Sequence, residues 1–142
     1  MDNGLRLVVG DWITLEKPAT KVRFEVFVDE QQFPAEMEID EFDAVSLHAV
    51  AFDAAGEAVA TGRLLPDGHI GRMAVVKSAR GTGVGGMVLQ ALIDAGQQHG
   101  FKELVLSAQT HALGFYGRYG FVAEGDIYLD SGVDHQTMRL VL

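Results

Sequence analysis

Apolar side chains recur along this chain at two spacings, and the changes from one spacing to the other mark out its elements. Branched apolar runs at Leu5–Val9, Leu47–Asp53, Glu57–Leu65 and His69–Val76 read as strands. Ala54-Ala55-Gly56 and Pro66-Asp67-Gly68 read as turns, so the last three runs form an antiparallel meander. Between the first strand and the meander, the segment from Pro18 to Glu30 predicts a helix. Val22 and Val26 share one face there, Phe24, Phe27 and Val28 widen it, and Pro18 suits a first turn, where its missing N–H costs nothing. A second helix follows from Val84, Val88, Leu89, Leu92 and Ile93, at helical spacing up to Gly100. The remainder reads as a strand at Leu104–Ser107, a brief helix at Thr110–Arg118, a strand at Phe121–Leu129, a turn at Ser131-Gly132 and a last strand at His135–Val141. This order predicts an α/β three-layer domain whose mixed, mostly antiparallel sheet of six to seven strands is flanked by helices.

A chain of 142 residues without a repeat, low-complexity tract or linker predicts a single domain spanning 1–142. The lack of cysteine excludes a disulfide framework, a thiolate nucleophile and a zinc-thiolate site, and fits a reducing compartment. No run approaches the ~18 apolar residues of a membrane helix, and Met1-Asp2-Asn3-Gly4 lacks the start of a signal peptide, so a cytoplasmic protein is expected. A net charge of -9 argues against nucleic-acid binding, which depends on Lys and Arg. The charge is unevenly placed. From Glu25 to Asp43 stand Glu25, Asp29, Glu30, Glu36, Glu38, Asp40, Glu41 and Asp43 with no Lys or Arg, whereas Arg63 to Arg80 carries Arg63, Arg72, Lys77 and Arg80 against Asp67 alone. That division suggests an acidic face for one ligand and a basic face for another.

The densest chemistry lies after the fourth strand, where Met73-Ala74-Val75-Val76-Lys77-Ser78 runs into Ala79-Arg80-Gly81-Thr82-Gly83-Val84-Gly85-Gly86 and then a helix. Glycines there would let the backbone approach an anion, and the unpaired N–H groups of a helix start favour negative charge. A structural turn and a phosphate cradle both fit this segment. The G-x-G-x-x-G spacing of Gly81, Gly83 and Gly86 does not indicate a dinucleotide fold, because a meander precedes it and too little chain follows for a second half. No Gly-Lys-Ser/Thr follows the glycines, which excludes a Walker A loop.

Arg80-Gly81-Thr82-Gly83-Val84-Gly85 resembles the R/Q-x-x-G-x-G/A signature of the GNAT superfamily of N-acetyltransferases, and Ala112-Leu113-Gly114-Phe115-Tyr116-Gly117-Arg118-Tyr119-Gly120-Phe121 is similar to its A-x-x-F-Y-x-x-x-G-F block. Arg23–Gln31 followed by Glu38–Asp43 resembles the YjcF and ElaA branch. The resemblance implies acetyl-coenzyme A as cosubstrate, with the backbone of Met73, Ala74 and Val75 pairing with the pantetheine arm where a bulge splays the sheet. It places the pyrophosphate on the N–H groups of Arg80, Gly81, Thr82, Gly83, Val84 and Gly85, and puts Gln109 where many relatives carry Asn. Tyr116 falls at the position of the donor to the leaving thiolate, acting as general acid, with the Val75 N–H or a neighbour meeting the oxyanion.

An alkylamine with a pKa near ~10.4 is protonated at neutral pH, so transfer to it needs a base or a water path. Glu30, Glu38 and Asp40 are the candidates, since His69-Ile70-Gly71-Arg72-Met73 on the fourth strand carries no carboxylate. His48, His111 and His135 show no metal-ligand spacing and read as structural or surface residues; no metal is expected. Arg23 reads as a partner for a nearby acid, and Trp12 as an anchor for the helical region. The resulting expectation is acetyl transfer to a primary amine, a small cationic one steered by the acids between Glu25 and Asp43. A non-catalytic acyl-coenzyme A sensor and a protein or peptide N-acetyltransferase are the alternatives. A monomer and a homodimer are both open.

Overall fold

The computed structural model describes residues 4–142. Seven strands, β1 (Arg6–Gly10), β2 (Leu47–Phe52), β3 (Ala58–Leu64), β4 (His69–Val75), β5 (Glu103–Gln109), β6 (Val122–Asp130) and β7 (Val133–Val141), form one sheet in the order β1-β2-β3-β4-β5-β7-β6. Every neighbouring pair is antiparallel except β4 and β5. The meander expected from the alternating runs is β2-β3-β4, and the C-terminal hairpin is β6-β7.

Helix α1 (Trp12–Arg23) begins six residues before the expected start. Asp11 caps it by accepting from the Thr14 N–H at 2.9 Å, and this cap outweighs the presence of Pro18 inside the helix. Beyond Arg23 the helix widens to a π-helical stretch, Phe24–Glu30, which ends where the Gln31 N–H donates to Val26 at 2.9 Å. Helix α2 (Val84–Gln98) lies in its expected place, and the brief third helix is a 3-10 turn, Thr110–Ala112, leading into α3 (Leu113–Gly117).

Strand β3 is buried along its whole length, which requires cover on both faces of the sheet. Alternation divides its residues between the layers. Arg63 reaches toward α1, whereas a Cβ on Gly62 would stand 2.5 Å from Met73 Sδ and 2.9 Å from Leu92 Cδ1 on the α2 side. Leu15, Ala19, Val22 and Val26 fill the first layer; Val84, Val88, Leu89 and Leu92 fill the second.

Two irregularities shape the centre. Between the pairs Thr61↔Ala74 and Arg63↔Gly71, β4 carries an extra residue, and Arg72 there takes a left-handed φ of 51°. The parallel pairing of β4 with β5 is confined to His69↔Val105 and Ile70↔Leu106. Past those pairs the two strands separate.

Candidate active site

The split between β4 and β5 opens a groove of about 930 Å³. Met73, Ala74 and Val75 line one wall; Leu106, Ser107 and Gln109 line the other. The Val76 N–H donates across to Val59 at 2.9 Å, so by alternation Val75 turns its backbone groups away from β3 and toward the split. An unpaired strand edge of this kind can accept another extended chain.

The glycine loop closes one end. Gly81 and Gly83 have φ of 81° and 86°, and a Cβ on either would meet no protein atom within 4 Å. Left-handed backbone and open space together make a cradle that only glycine leaves clear. Gly83 caps α2 without a side-chain bond, leaving the first helical N–H groups for a ligand. Val84 and Gly85 line the groove behind it, and Gly85 packs so close to Val75 that a Cβ would lie 3.1 Å from its Cγ2. Thr82 turns its hydroxyl back to the Ala79 carbonyl at 2.6 Å. Arg80 bridges the mouth: its guanidinium meets both Glu30 oxygens at 2.6 Å and its Nε donates to the Val75 carbonyl at 3.0 Å. That bond holds the Glu30 carboxyl below its ordinary value.

The expected separation into an acidic and a basic face does not occur. Asp43, 1% exposed, accepts from both terminal nitrogens of the buried Arg23 at 3.0 and 2.7 Å and from one nitrogen of Arg63 at 2.9 Å. Arg63 also grips Asp40 at 2.7 and 3.1 Å, and Arg72 reaches Asp40 at 3.2 Å. Acids and arginines far apart in sequence neutralise one another inside the fold, so Asp40 is a structural ion-pair partner and offers no free base. Desolvation opposes ionisation of Asp40 and Asp43, but bonds and charges from the arginines prevail and hold both carboxyls below the ordinary range.

Glu38 is the exception. It is 5% exposed, it lines the groove, and its Oε2 is buried without a hydrogen-bond partner, Arg72 Nε standing off at 3.9 Å. Desolvation pushes its carboxyl up against the pull of Arg72, Arg23 and Arg63. The Arg72 Nε instead donates to the Glu38 carbonyl at 3.2 Å, tying this segment to the bulge of β4.

Across the groove α3 presents Tyr116, packed edge-on against Phe115 and Phe121 at centroid distances of 5.0 and 6.1 Å. Burial alone pushes its hydroxyl up to about 12. Gln109 donates to Gln31 at 3.3 Å, joining the β5 wall to the end of the π-helical stretch. Gly86 packs against Tyr119, just past α3, and a Cβ there would fall 1.9 Å from the Tyr119 hydroxyl, so the ring would have to shift.

These features have a known counterpart: the profile of the acetyltransferase (GNAT) domain matches residues 15–142. The chain belongs to the GNAT acetyltransferase family. Over 127 residues it is 43% identical to the uncharacterized N-acetyltransferase YjcF of Bacillus subtilis, covering 86% of this chain and 89% of that one. Among solved structures it is similar to an acyl-CoA N-acyltransferase from Pseudomonas aeruginosa, with 33% identity, a TM-score of 0.85, and 96% and 99% of the two chains covered. It is also similar to Escherichia coli ElaA, with 26% identity, a TM-score of 0.85 and the same coverage. The fold is the GNAT fold, in its YjcF/ElaA-like branch, and the activity is that of a GNAT N-acetyltransferase, a family that uses acetyl-CoA as cosubstrate. Among the described residues no helix is long and apolar enough to cross a membrane, and no group of three His, Cys, Asp or Glu is arranged to hold a metal ion.

Of the predicted site residues in this GNAT chain, Glu30, Glu38, Met73, Ala74, Val75, Arg80, Gly81, Gly83, Val84, Gly85, Gln109 and Tyr116 converge on one groove. His111 and His135 also line it, whereas His48 is buried under Trp12 with ring centroids 4.8 Å apart. The His48 Nε2 lies 2.9 Å from the Asp43 carbonyl and must donate, which fixes the tautomer. Arg23 stands over the Trp12 ring at 5.1 Å, so Trp12 does anchor the start of α1. Sequence reasoning missed Phe33, Pro34, Arg72, Arg118 and the hairpin turn Asp130-Ser131, all of which line the groove. Phe33-Pro34 carried a signal, as an apolar pair inside an acid-rich loop. Arg72 and the hairpin turn carried none, because the bulge and the crossing of β7 next to β5 bring them in.

Proposed function

We propose that this chain moves an acetyl group from acetyl-CoA to a primary amine by direct attack, with Glu38 as base and Tyr116 as donor to the leaving sulfur. One observation carries the reading. A buried carboxylate oxygen without a hydrogen-bond partner and a phenol raised by burial open on the same groove, beside an unpaired strand edge and an anion cradle. The open space over Gly81 and Gly83 and the uncapped start of α2 fit a pyrophosphate, with Thr82 and Val84 contributing backbone N–H groups, while the Arg80 N–H is already given to the Lys77 carbonyl at 3.3 Å. Met73 and Val75 would pair with the pantetheine amides, with Ala74 between them turned to β3 and lining the groove, and Gln109 would contact the same arm from β5. Bound there, acetyl-CoA supplies a thioester carbonyl activated toward nitrogen.

Glu38 takes a proton from the ammonium, freeing the lone pair that forms the new C–N bond. Its elevated proton affinity brings it nearer the operating pH than an ordinary carboxylate. The Val75 N–H meets the oxygen on which charge develops. Tyr116 stays protonated at neutral pH and so reaches the sulfur as a donor. Full transfer from a phenol near 12 to a thiolate near ~8.5 runs uphill. Tyr116 therefore stabilises the departing thiolate by a hydrogen bond. The nitrogen gives up two protons, one to Glu38 before attack and one as the tetrahedral adduct collapses; the thiolate takes up one from solvent, and one is released in the net reaction.

Thiol release with acetyl-CoA and a panel of amines and peptides tests the reading. Tyr116→Phe should lower kcat about 10²- to 10³-fold, the usual loss for one such donor, with acetyl-CoA affinity and folding retained. Full turnover in that variant, with chemistry rate-limiting, removes Tyr116 from the mechanism. Cofactor binding without thiol release from any amine or peptide would instead indicate a sensor.

A further inference from the structure

The acid-rich segment was expected to steer a small cation, but the fold leaves it little charge for that purpose. Asp40 and Asp43 are taken by Arg23, Arg63 and Arg72, and Glu30 by Arg80. Glu25, Asp29, Glu36 and Glu41 are exposed and stand outside the groove. Among the described residues only Glu38 presents a buried carboxylate oxygen with no hydrogen-bond partner. The other groove acid, Asp130, sits exposed in the hairpin turn and accepts from Ser131 at 3.3 Å. Three guanidinium groups, of Arg72, Arg80 and Arg118, line the same groove.

The polar residues that share the wall with Glu38, Glu30 and Gln31, are held by Arg80 and Gln109, and the rest of it is apolar. The π-helical stretch and the loop after it bring Val26, Phe27, Phe33 and Pro34 to the groove, with the Phe27 and Phe33 rings 6.4 Å apart. Arg72 ties Glu38 to the bulge of β4, and the cradle lies past the other end of that strand. From the bulge at Arg72 to Val75 the strand spans up to about 10 Å, which separates the carboxylate from the anion end.

We propose that the acceptor is a monoamine on an apolar body, an alkyl- or arylalkylamine, selected against polyamines by one buried carboxylate, Glu38, set in a wall of Phe27, Phe33 and Pro34. The inference rests on the amine-transfer reading and narrows its substrate class. One ammonium meets Glu38, and the body covers the aromatic wall, where each CH₂ removed from water contributes about fourfold in affinity. A second ammonium near Glu38 would be set against apolar surface or a guanidinium, unfavourable in either case, and the exposed Asp130 offsets this only weakly because solvent screens it.

The test compares kcat/KM for phenethylamine and hexylamine with that for putrescine and spermidine, under saturating acetyl-CoA. Calorimetry of phenethylamine and putrescine on the protein loaded with coenzyme A, which cannot react, gives a second readout. The monoamines should exceed the diamine at least tenfold in both measurements, and Phe33→Ser should narrow the ratio. Polyamines equal to or better than monoamines, with thiol released, would overturn the acceptor class and leave acetyl transfer standing. If no amine releases thiol, the transfer reading falls, and equal binding of the two ligands in calorimetry would overturn the acceptor class as well. The wild-type ratio decides the matter even where the Phe33 variant fails to fold.

Discussion

Burial pushes the Glu38 carboxyl above its ordinary value of 4.5 against the pull of three arginines, so the folded chain binds a proton there more readily than the unfolded chain does. Stability from this group is therefore greatest at low pH and declines as pH rises through the window above 4.5. Chemical denaturation of Glu38→Gln should show a flatter pH dependence across that window than the parent, together with lost turnover. The acid limb of kcat/KM in the parent should lie above pH 4.5, and a limb at or below that value would exclude Glu38 as the base. Asp43 has the opposite sign: its folded value is depressed, so its contribution is complete above the ordinary range near 3.8 and is lost as pH falls. Asp43→Ala leaves two arginines buried without their shared carboxylate, and urea titration should show a loss of about 3–5 kcal/mol. Gly62, by contrast, was legible only as a small residue in a strand; its fit against Met73 and Leu92 depends on the neighbouring layer.

At the scale of elements, the glycine loop was the most legible part of the chain, because φ above zero and helix initiation are local demands that leave local residues. Gly83→Val should weaken coenzyme A binding at least tenfold in calorimetry, since the side chain meets only the open cradle and the backbone there is left-handed. The π-helical stretch was not legible. Its apolar face, Val26 with Phe27, reads as ordinary helix, and its widening depends on how Gln31, Gln32 and Phe33 share the preceding carbonyls. That widening delivers Glu30 to Arg80. With the Arg80 guanidinium held by Glu30 and by the Val75 carbonyl, a bound pyrophosphate must compete with a carboxylate. Glu30→Gln should tighten coenzyme A binding, by up to about fivefold given the exposure of the pair. Weaker binding in that variant would show that the pair holds the cradle in shape.

For the molecule as a whole, sheet order and layering followed from the alternating runs and the position of the helices, whereas the charge pattern misled. Charges separated by 20 residues or more in sequence pair inside the fold, as Arg23 and Arg63 do with Asp43, and no local pattern records such pairing. Acceptor kinetics should consequently depend little on ionic strength between low and physiological salt, because the buried Glu38 carboxylate is shielded from counterions. A steep fall with salt would restore the acidic segment as a steering field. The two-pair junction of β4 with β5 has a mechanical meaning too. It is a short hem between two smaller sheets, and the frayed cloth past it is the proposed binding site. A ligand laid along β4 would act as a stitch, and hydrogen exchange should slow on coenzyme A binding at the amides of both strands that face the split. The enzyme's own breathing would then be a gauge of occupancy, loose when empty and taut when filled.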